Sequence, residues 1–372
     1  MSYLQQPMTF SFCSCTGMYS TPFVPTYEGA QDFKGTILHS SQYLSQKQIE
    51  GKHVIVVGGG KSALDIAVDA SAKAASSSLL FRNAHWGTPR NIAWLIPFQY
   101  VFLSRFGQAL VSWYKGAWPT AGGSVKAAHS ALSAVMGPVF RIVEWLFALQ
   151  LGHKGDYRPE LDVVKDFYGY AQVLDSSFKQ SVAAGKVKAV RGEVAGLSAE
   201  GVKLASGASL PCDVLICATG FGKSYHYLPA EAATQLKAEK DGLYLYRHVL
   251  PPQVADLAFV GGEVATISNI ATHGIQAEWL AGVFAGRVKL PSAEEMERDV
   301  AGVKAWKRSW MPETSSRAAL VLLHQIHYHD RLLQDLGLPH RRKSNPLAEI
   351  FAPYQPRDYA AVVAKPAAAA AH

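Results

Sequence analysis

The chain has 372 residues, 49% of them hydrophobic and 17% charged, which is enough apolar material for two globular domains and excludes a charge-rich disordered chain. A formal charge of +7 suits polyanionic small molecules, but the basic residues are too scattered to argue for nucleic acid. The cysteines form two close pairs, Cys13/Cys15 and Cys212/Cys217, with no C-x-x-C; both lie in apolar strand-like runs and are expected as buried free thiols of a reducing, cytoplasmic compartment.

In chain order, the N-terminus MSYLQQPMTFSF has no basic stretch leading into a long apolar core, so no signal peptide is expected. Phe10 to Met18 (FSFCSCTGM) then finds an echo at Val214 to Phe221 (VLICATGF). Each reads as an apolar strand leaving a sheet at Thr-Gly. A pair of such exits is what a domain inserted into another would produce, although two short apolar strings can also agree by chance. Pro22, Pro25, Gly29 and Gly35 mark the segment that follows as a connection rather than a helix.

His53 to Val57 is short, apolar and rich in β-branched residues, and reads as a buried strand. Gly58, Gly59 and Gly60 follow, and Ser62-Ala63 opens an Ala-rich segment with apolar residues at helical spacing. Strand, glycine turn and helix are the context a phosphate cradle requires. Gly58 permits the tight turn, Gly60 lets backbone approach a pyrophosphate, Ala63 packs closely, and the helix N-terminus offers free N–H groups. A second apolar run, Leu79 to Phe81, ends on Arg82 and Asn83. An acidic residue there would hold the ribose hydroxyl of NAD, whereas a guanidinium suits the 2′-phosphate of NADP(H). The plainer alternative is a glycine turn in an ordinary α/β domain.

From Ile92 to Asp166 the chain is apolar and aromatic, and Pro97, Pro119 and Gly122-Gly123 divide it into helical pieces. Its longest apolar stretch, Val135 to Leu151, is interrupted by Arg141 and Glu144, so no membrane span is expected, while surface association is left open. Within it Val139, Ile142, Val143, Leu146 and Leu149 form an apolar helical face, with Arg141 and Glu144 outside. Such an insertion packs on its domain, covers a substrate channel or meets a membrane. Val187 to Asp213 reads as short strands with a hairpin at Gly201, and Leu257 to Gly262 as another buried strand meeting glycines. Asn269, His273-Gly274 and a helical Ile275 to Gly286 follow; Ser292, with Glu294-Glu295, caps a further helix. His324, His327 and His329 are expected as surface helix histidines rather than metal ligands, Arg341-Arg342-Lys343 as a solvated charge run, and the Ala-rich tail as frayed.

Phe33-x-Gly35-x-x-x-His39-x-x-x-Tyr43 resembles the fingerprint F-x-G-x-x-x-H-x-x-x-[F/Y] of flavin-containing monooxygenases. The Gly58-x-Gly60-x-Ser62-Ala63 loop and the Ala218-Thr219-Gly220 strand end are similar to further motifs of that family, in the same order. Tyr43-Leu44 leans away from the related Baeyer–Villiger enzymes, and Lys61 stands where many relatives carry Asn. The likeness runs from about Thr16 to Tyr359.

The resemblance implies an α/β protein in which a Rossmann-like NADP-binding domain is inserted into an incomplete FAD-binding Rossmann-like domain. It divides the chain into an FAD-domain remnant and linker (1–50), an NADP-binding domain with the apolar insertion (51–211), the C-terminal part of the FAD-binding domain (212–290) and a helical extension (291–372). It also implies NADP(H) and FAD as cofactors, and dioxygen and a small molecule with a soft nitrogen or sulfur nucleophile as substrates, as in dimethylaniline monooxygenases. The cofactor carries that chemistry, so no protein nucleophile is required. Gly58, Gly60, Ser62 and Ala63 would hold the pyrophosphate and Arg82 the 2′-phosphate, while Lys61, a departure from the family, would add a phosphate contact or alter positioning. His39, Ser40 and Tyr43 would fix the linker against the cofactor, Thr219 and Gly220 would form the hinge, and Gly262 and Asn269 would belong to the closing flavin-binding element. In this family a first flavin-binding half, with its own G-x-G-x-x-G, precedes the first Thr-Gly exit; here fifteen residues precede Thr16 and none forms a glycine loop. An inactive or truncated NADP-binding module, or a partner subunit, is therefore the rival reading.

Overall fold

The computed structural model describes residues 12–112, 123–170 and 172–363. The backbone divides into two compact units, one of residues 19–95 and 140–224, the other of residues 1–18, 96–139 and 225–372. The apolar insertion is thus shared between them. Trp113, Trp118, Pro119 and most of the Ala-rich tail lie outside the described residues.

The first unit is built on a five-stranded sheet made of Thr36–His39 (β1), His53–Val57 (β2), Ser76–Phe81 (β3), Val187–Arg191 (β4) and Val214–Cys217 (β5). Its order is β4-β3-β2-β5-β1, and every neighbouring pair is parallel. From β2 the chain steps outward through β3 to β4 and then returns to the other flank as β5, so the order reverses beside β2. Asp213 locks the starting ends together: its carbonyl accepts from Thr36 N, its carboxylate from His53 N, and its own N–H donates to His53 O. The alternation of β2 explains its reading as doubly buried. Val54 and Val56 pack with Ala63, Leu64 and Ala67 of the helix Lys61–Ala70 (α1), while Ile55 faces Leu197, Val202 and Leu204 of an antiparallel three-stranded ribbon. Each such aliphatic side chain contributes roughly 1.5–3 kcal/mol on burial. In the ribbon, Val194–Ser198 turns back on Gly201–Leu204, which is the hairpin the sequence expects at Gly201.

Two expectations change. Among the described side chains of the helix Gly123–Leu151, Met136, Glu144, Phe147, Gln150 and Leu151 are buried, whereas Val139, Ile142, Trp145 and Leu149 are exposed. The inward face holds 144, 147, 150 and 151, and Glu144 is admitted to it because its carboxylate accepts the N–H of Val163 and pairs with Arg141. Cys212 and Cys217 are buried as expected, but Cys13 and Cys15 are exposed. They belong to the other unit, where Phe12–Ser14 pairs with Leu257–Phe259 in a parallel ladder of two strands.

That second unit is mainly helical. Asn269–Phe284 (α2) crosses Gln325–Asp335 (α4) around Ile275, Trp279, Leu332 and Leu333. Ala293–Trp310 (α3) starts at Ser292, whose hydroxyl accepts from Glu295 N while the Glu295 carboxylate accepts from Ser292 N, the capping box the sequence announces. His324 and His329 are buried rather than at the surface, because the apolar stripe of α4 carries them inward and Thr272 bonds His329 Nε2 at 2.8 Å. The basic run is no solvated patch either. Lys343 Nζ reaches Asp358 at 2.7 Å and the carbonyl of Pro353, and Arg342 Nε donates to the carbonyl of Asp358, so both residues latch the C-terminal segment.

Candidate functional site

The loop between β2 and α1 lies where the strand order of the sheet reverses, the place at which open parallel sheets receive ligands. Gly58 has φ 147°, and a Cβ there would stand 2.4 Å from the carbonyl oxygen of Ala218 and 3.2 Å from the Ala63 methyl. Only glycine lets the loop pass between β5 and α1. A Cβ on Gly59 would meet the carbonyl oxygen of Asn83 at 2.6 Å, but nothing lies within 4 Å of one on Gly60. The loop is therefore packed beneath and open above. No side chain caps α1 at Gly60, which leaves the N–H groups of Lys61 and Ser62 and the helix dipole open to an anion.

The side chains around the loop are basic. Arg82, at the end of β3, is exposed and 3.6 Å from Glu193, a loose surface pair that leaves the guanidinium available. It lies close enough to act on the phenols of Tyr27 and Tyr170, both held above their ordinary pKa chiefly by burial. Lys61, in the first turn of α1, pairs with Asp65 one turn on at 2.6 Å. Ser62 is exposed beside it, and Ala63 is buried against β2.

The remaining expected residues fall in three places. His39, at the end of β1, bonds the carbonyl of Gly220 through Nε2 at 2.9 Å and Ser41 through Nδ1, while Phe221 meets its ring edge-on. Thr219 donates to the carbonyl of Phe23, so the chain leaving β5 is tied to the linker by two side chains. Ser40 accepts from Tyr43 N in the turn after β1; the Tyr43 phenol donates to Asp69 of α1 at 2.7 Å, and burial and that carboxylate both raise its pKa. These residues brace linker, β5 and α1 within one unit. Gly262 and Asn269 belong to the other unit. There a Cβ on Gly262 would stand 3.7 Å from the carbonyl oxygen of Gly17, and Asn269 accepts from Thr266 N at the start of α2.

Two features of this unit carry no sequence signal, one at the starting ends of the strands and one beside the loop. One is Asp213, whose binding of three strand starts depends on residues 160 and more positions away. The other is an imidazole, His85, set beside Gly59 of the loop and held by Asp166. Neither spacing forms a motif.

A family profile described as flavin-binding monooxygenase-like matches residues 7–118 and 128–341 of the chain. A probable flavin-containing monooxygenase 1 of Arabidopsis thaliana is 27% identical over 93% of the chain, and the rabbit (Oryctolagus cuniculus) dimethylaniline monooxygenase [N-oxide-forming] 2 is 26% identical over 87%. The chain spans 67% and 56% of the lengths of these two relatives. Among solved structures, OTEMO in complex with FAD and NADP superimposes with a TM-score of 0.56 at 16% identity, covering 87% of this chain and 72% of that one. At that identity the likeness concerns the fold, which is of the Rossmann type.

Proposed function

Because the chain belongs to the flavin-binding monooxygenase-like family, we propose that it works in a flavin-dependent monooxygenation driven by NADPH. The observation that carries this reading is the uncapped, open glycine loop at the reversal of the sheet, with Arg82 at the next strand end. NADP(H) fits it: Gly58, Gly60, Lys61, Ser62 and Ala63 would cradle the pyrophosphate, and Arg82 the 2′-phosphate that distinguishes this carrier from NAD. His39, Ser40 and Tyr43 would hold the linker, and Thr219 and Gly220 the exit from β5, so that the loop keeps its shape. On the flavin side, Gly262 and the α2 terminus at Asn269 would take part in holding FAD, with a helix dipole that favours negative charge. When bound, the flavin supplies the oxygen-activating chemistry, and the substrate class is a small molecule with a soft nitrogen or sulfur nucleophile, as the name of the rabbit relative suggests. The compartment in this reading is the cytoplasm. No helix among the described residues is long and apolar enough to cross a membrane, and the exposed Trp145 and Ile142 leave contact with a membrane surface open.

A second reading is an NADP-binding module or partner subunit without oxygenase activity. Purified protein separates the two. A yellow preparation with flavin absorbance and NADPH-dependent oxygen uptake supports monooxygenation; a colourless protein that binds NADPH without consuming oxygen supports the module.

A further inference from the structure

His85 faces the middle of the glycine loop and is fixed on its other sides. A Cβ on Gly59 would stand 3.3 Å from His85 Cδ2 and 3.6 Å from Nε2, so that edge of the ring is turned to the loop. The opposite edge presents Nδ1 to Asp166 Oδ1 at 2.9 Å. One face of the ring stacks on Tyr170, with centroids 3.7 Å apart and planes inclined by 23°. Asp166 is itself held, since its second oxygen accepts the N–H of Trp86 and its side chain is only 1% exposed. A carboxylate only accepts, so Nδ1 carries a proton, and Nε2 is left as the nitrogen that looks toward the loop. The His85 side chain keeps 11% exposure.

We propose that His85 is a phosphate-binding residue of this site, donating from Nε2 as an imidazolium to a dinucleotide pyrophosphate seated on the loop, with Asp166 and Tyr170 as its positioning residues. The inference rests on reading the loop as a dinucleotide site. Backbone N–H groups bind phosphate without regard to pH, whereas an imidazolium contact adds affinity that is present when the ring is protonated and lost when it is not. The titratable groups facing the ring are Asp166 and Tyr170, both from the helix Val163–Tyr170.

Titration calorimetry of the whole chain with NADPH and with NADH tests the proposal. Both nucleotides carry the pyrophosphate, so His85→Gln is expected to weaken both by roughly tenfold, the scale of one charge-assisted hydrogen bond. In the wild-type chain both affinities are expected to rise as the pH falls from about 8 to about 6, through the histidine range, with the rise abolished in His85→Gln. Arg82→Ala is expected to weaken NADPH alone. Phosphorus NMR of nucleotide bound to the unmutated chain provides a readout that needs no folded variant: pyrophosphate resonances that titrate over the same pH range support the contact, and resonances that stay fixed overturn it. Unchanged affinity and pH dependence in His85→Gln would overturn the role of His85 and leave the loop reading standing. Failure of the wild-type chain to bind either nucleotide would overturn both.

Discussion

Gly58 illustrates how one residue is fixed by three constraints at once. Its positive φ, the Ala218 carbonyl and the Ala63 methyl all exclude a side chain, so Gly58→Ala strains the backbone and pushes β5 away from α1. The expected cost is upward of about 1 kcal/mol, because the native conformation does not suit alanine. A thermal melt of the variant should show a lower midpoint, and an unchanged midpoint would mean that the loop tolerates a Cβ. This part of the site was legible in the sequence. Glycines at fixed intervals behind a β-branched strand leave few other arrangements, and Arg82 follows from the position at which the next apolar run stops. His85 and Asp166 were not legible, since their meeting depends on where a helix some 80 residues downstream returns to the sheet.

Elements follow a similar division. Strands buried on both faces, such as β2 and β5, announce themselves as continuous apolar runs, and α3 announces its start through Ser292 and Glu295. Ser292→Ala removes the hydroxyl that accepts from Glu295 N and should cost about 1 kcal/mol, measured as a shift in the urea midpoint at constant slope. No shift would show that Glu295 alone holds the terminus. The helix Gly123–Leu151 misleads because it is apolar on both sides. Periodicity alone selects the row of Val139, Ile142 and Leu149, yet the buried row contains a carboxylate whose partner, the N–H of Val163, lies nineteen residues on. Lys343 is a similar case. A basic triplet reads as solvated until a long-range carboxylate, Asp358, is found beside it.

For the molecule as a whole, buried histidines set the response to acid. Burial lowers His324 and His329 to about 3, the former also through the nearby charges of His327 and Lys307. Burial takes His153 to about 4, against the pull of the Tyr157 carbonyl. All three are neutral in the folded chain and take up protons more readily when it unfolds. Their contribution is complete above the ordinary histidine value near 6.5 and is lost as the pH falls below it, at about 1.4 kcal/mol per histidine per pH unit. Urea unfolding at about pH 7.5 and about pH 5.5 should therefore give the lower stability in acid, with a shallower dependence in His329→Gln. Equal stability at the two values would place these rings in contact with water. The central claim concerns the loop at Gly58 to Ala63 and the guanidinium beside it. Its most direct test is calorimetric titration of the wild-type and Arg82→Ala chains with NADPH and NADH. The account predicts that the wild-type chain prefers NADPH and that Arg82→Ala loses roughly tenfold or more for NADPH while NADH is nearly unaffected, as expected for a charge-assisted contact to the 2′-phosphate. Equal loss for both nucleotides, or no heat from either with the wild-type chain, would contradict it.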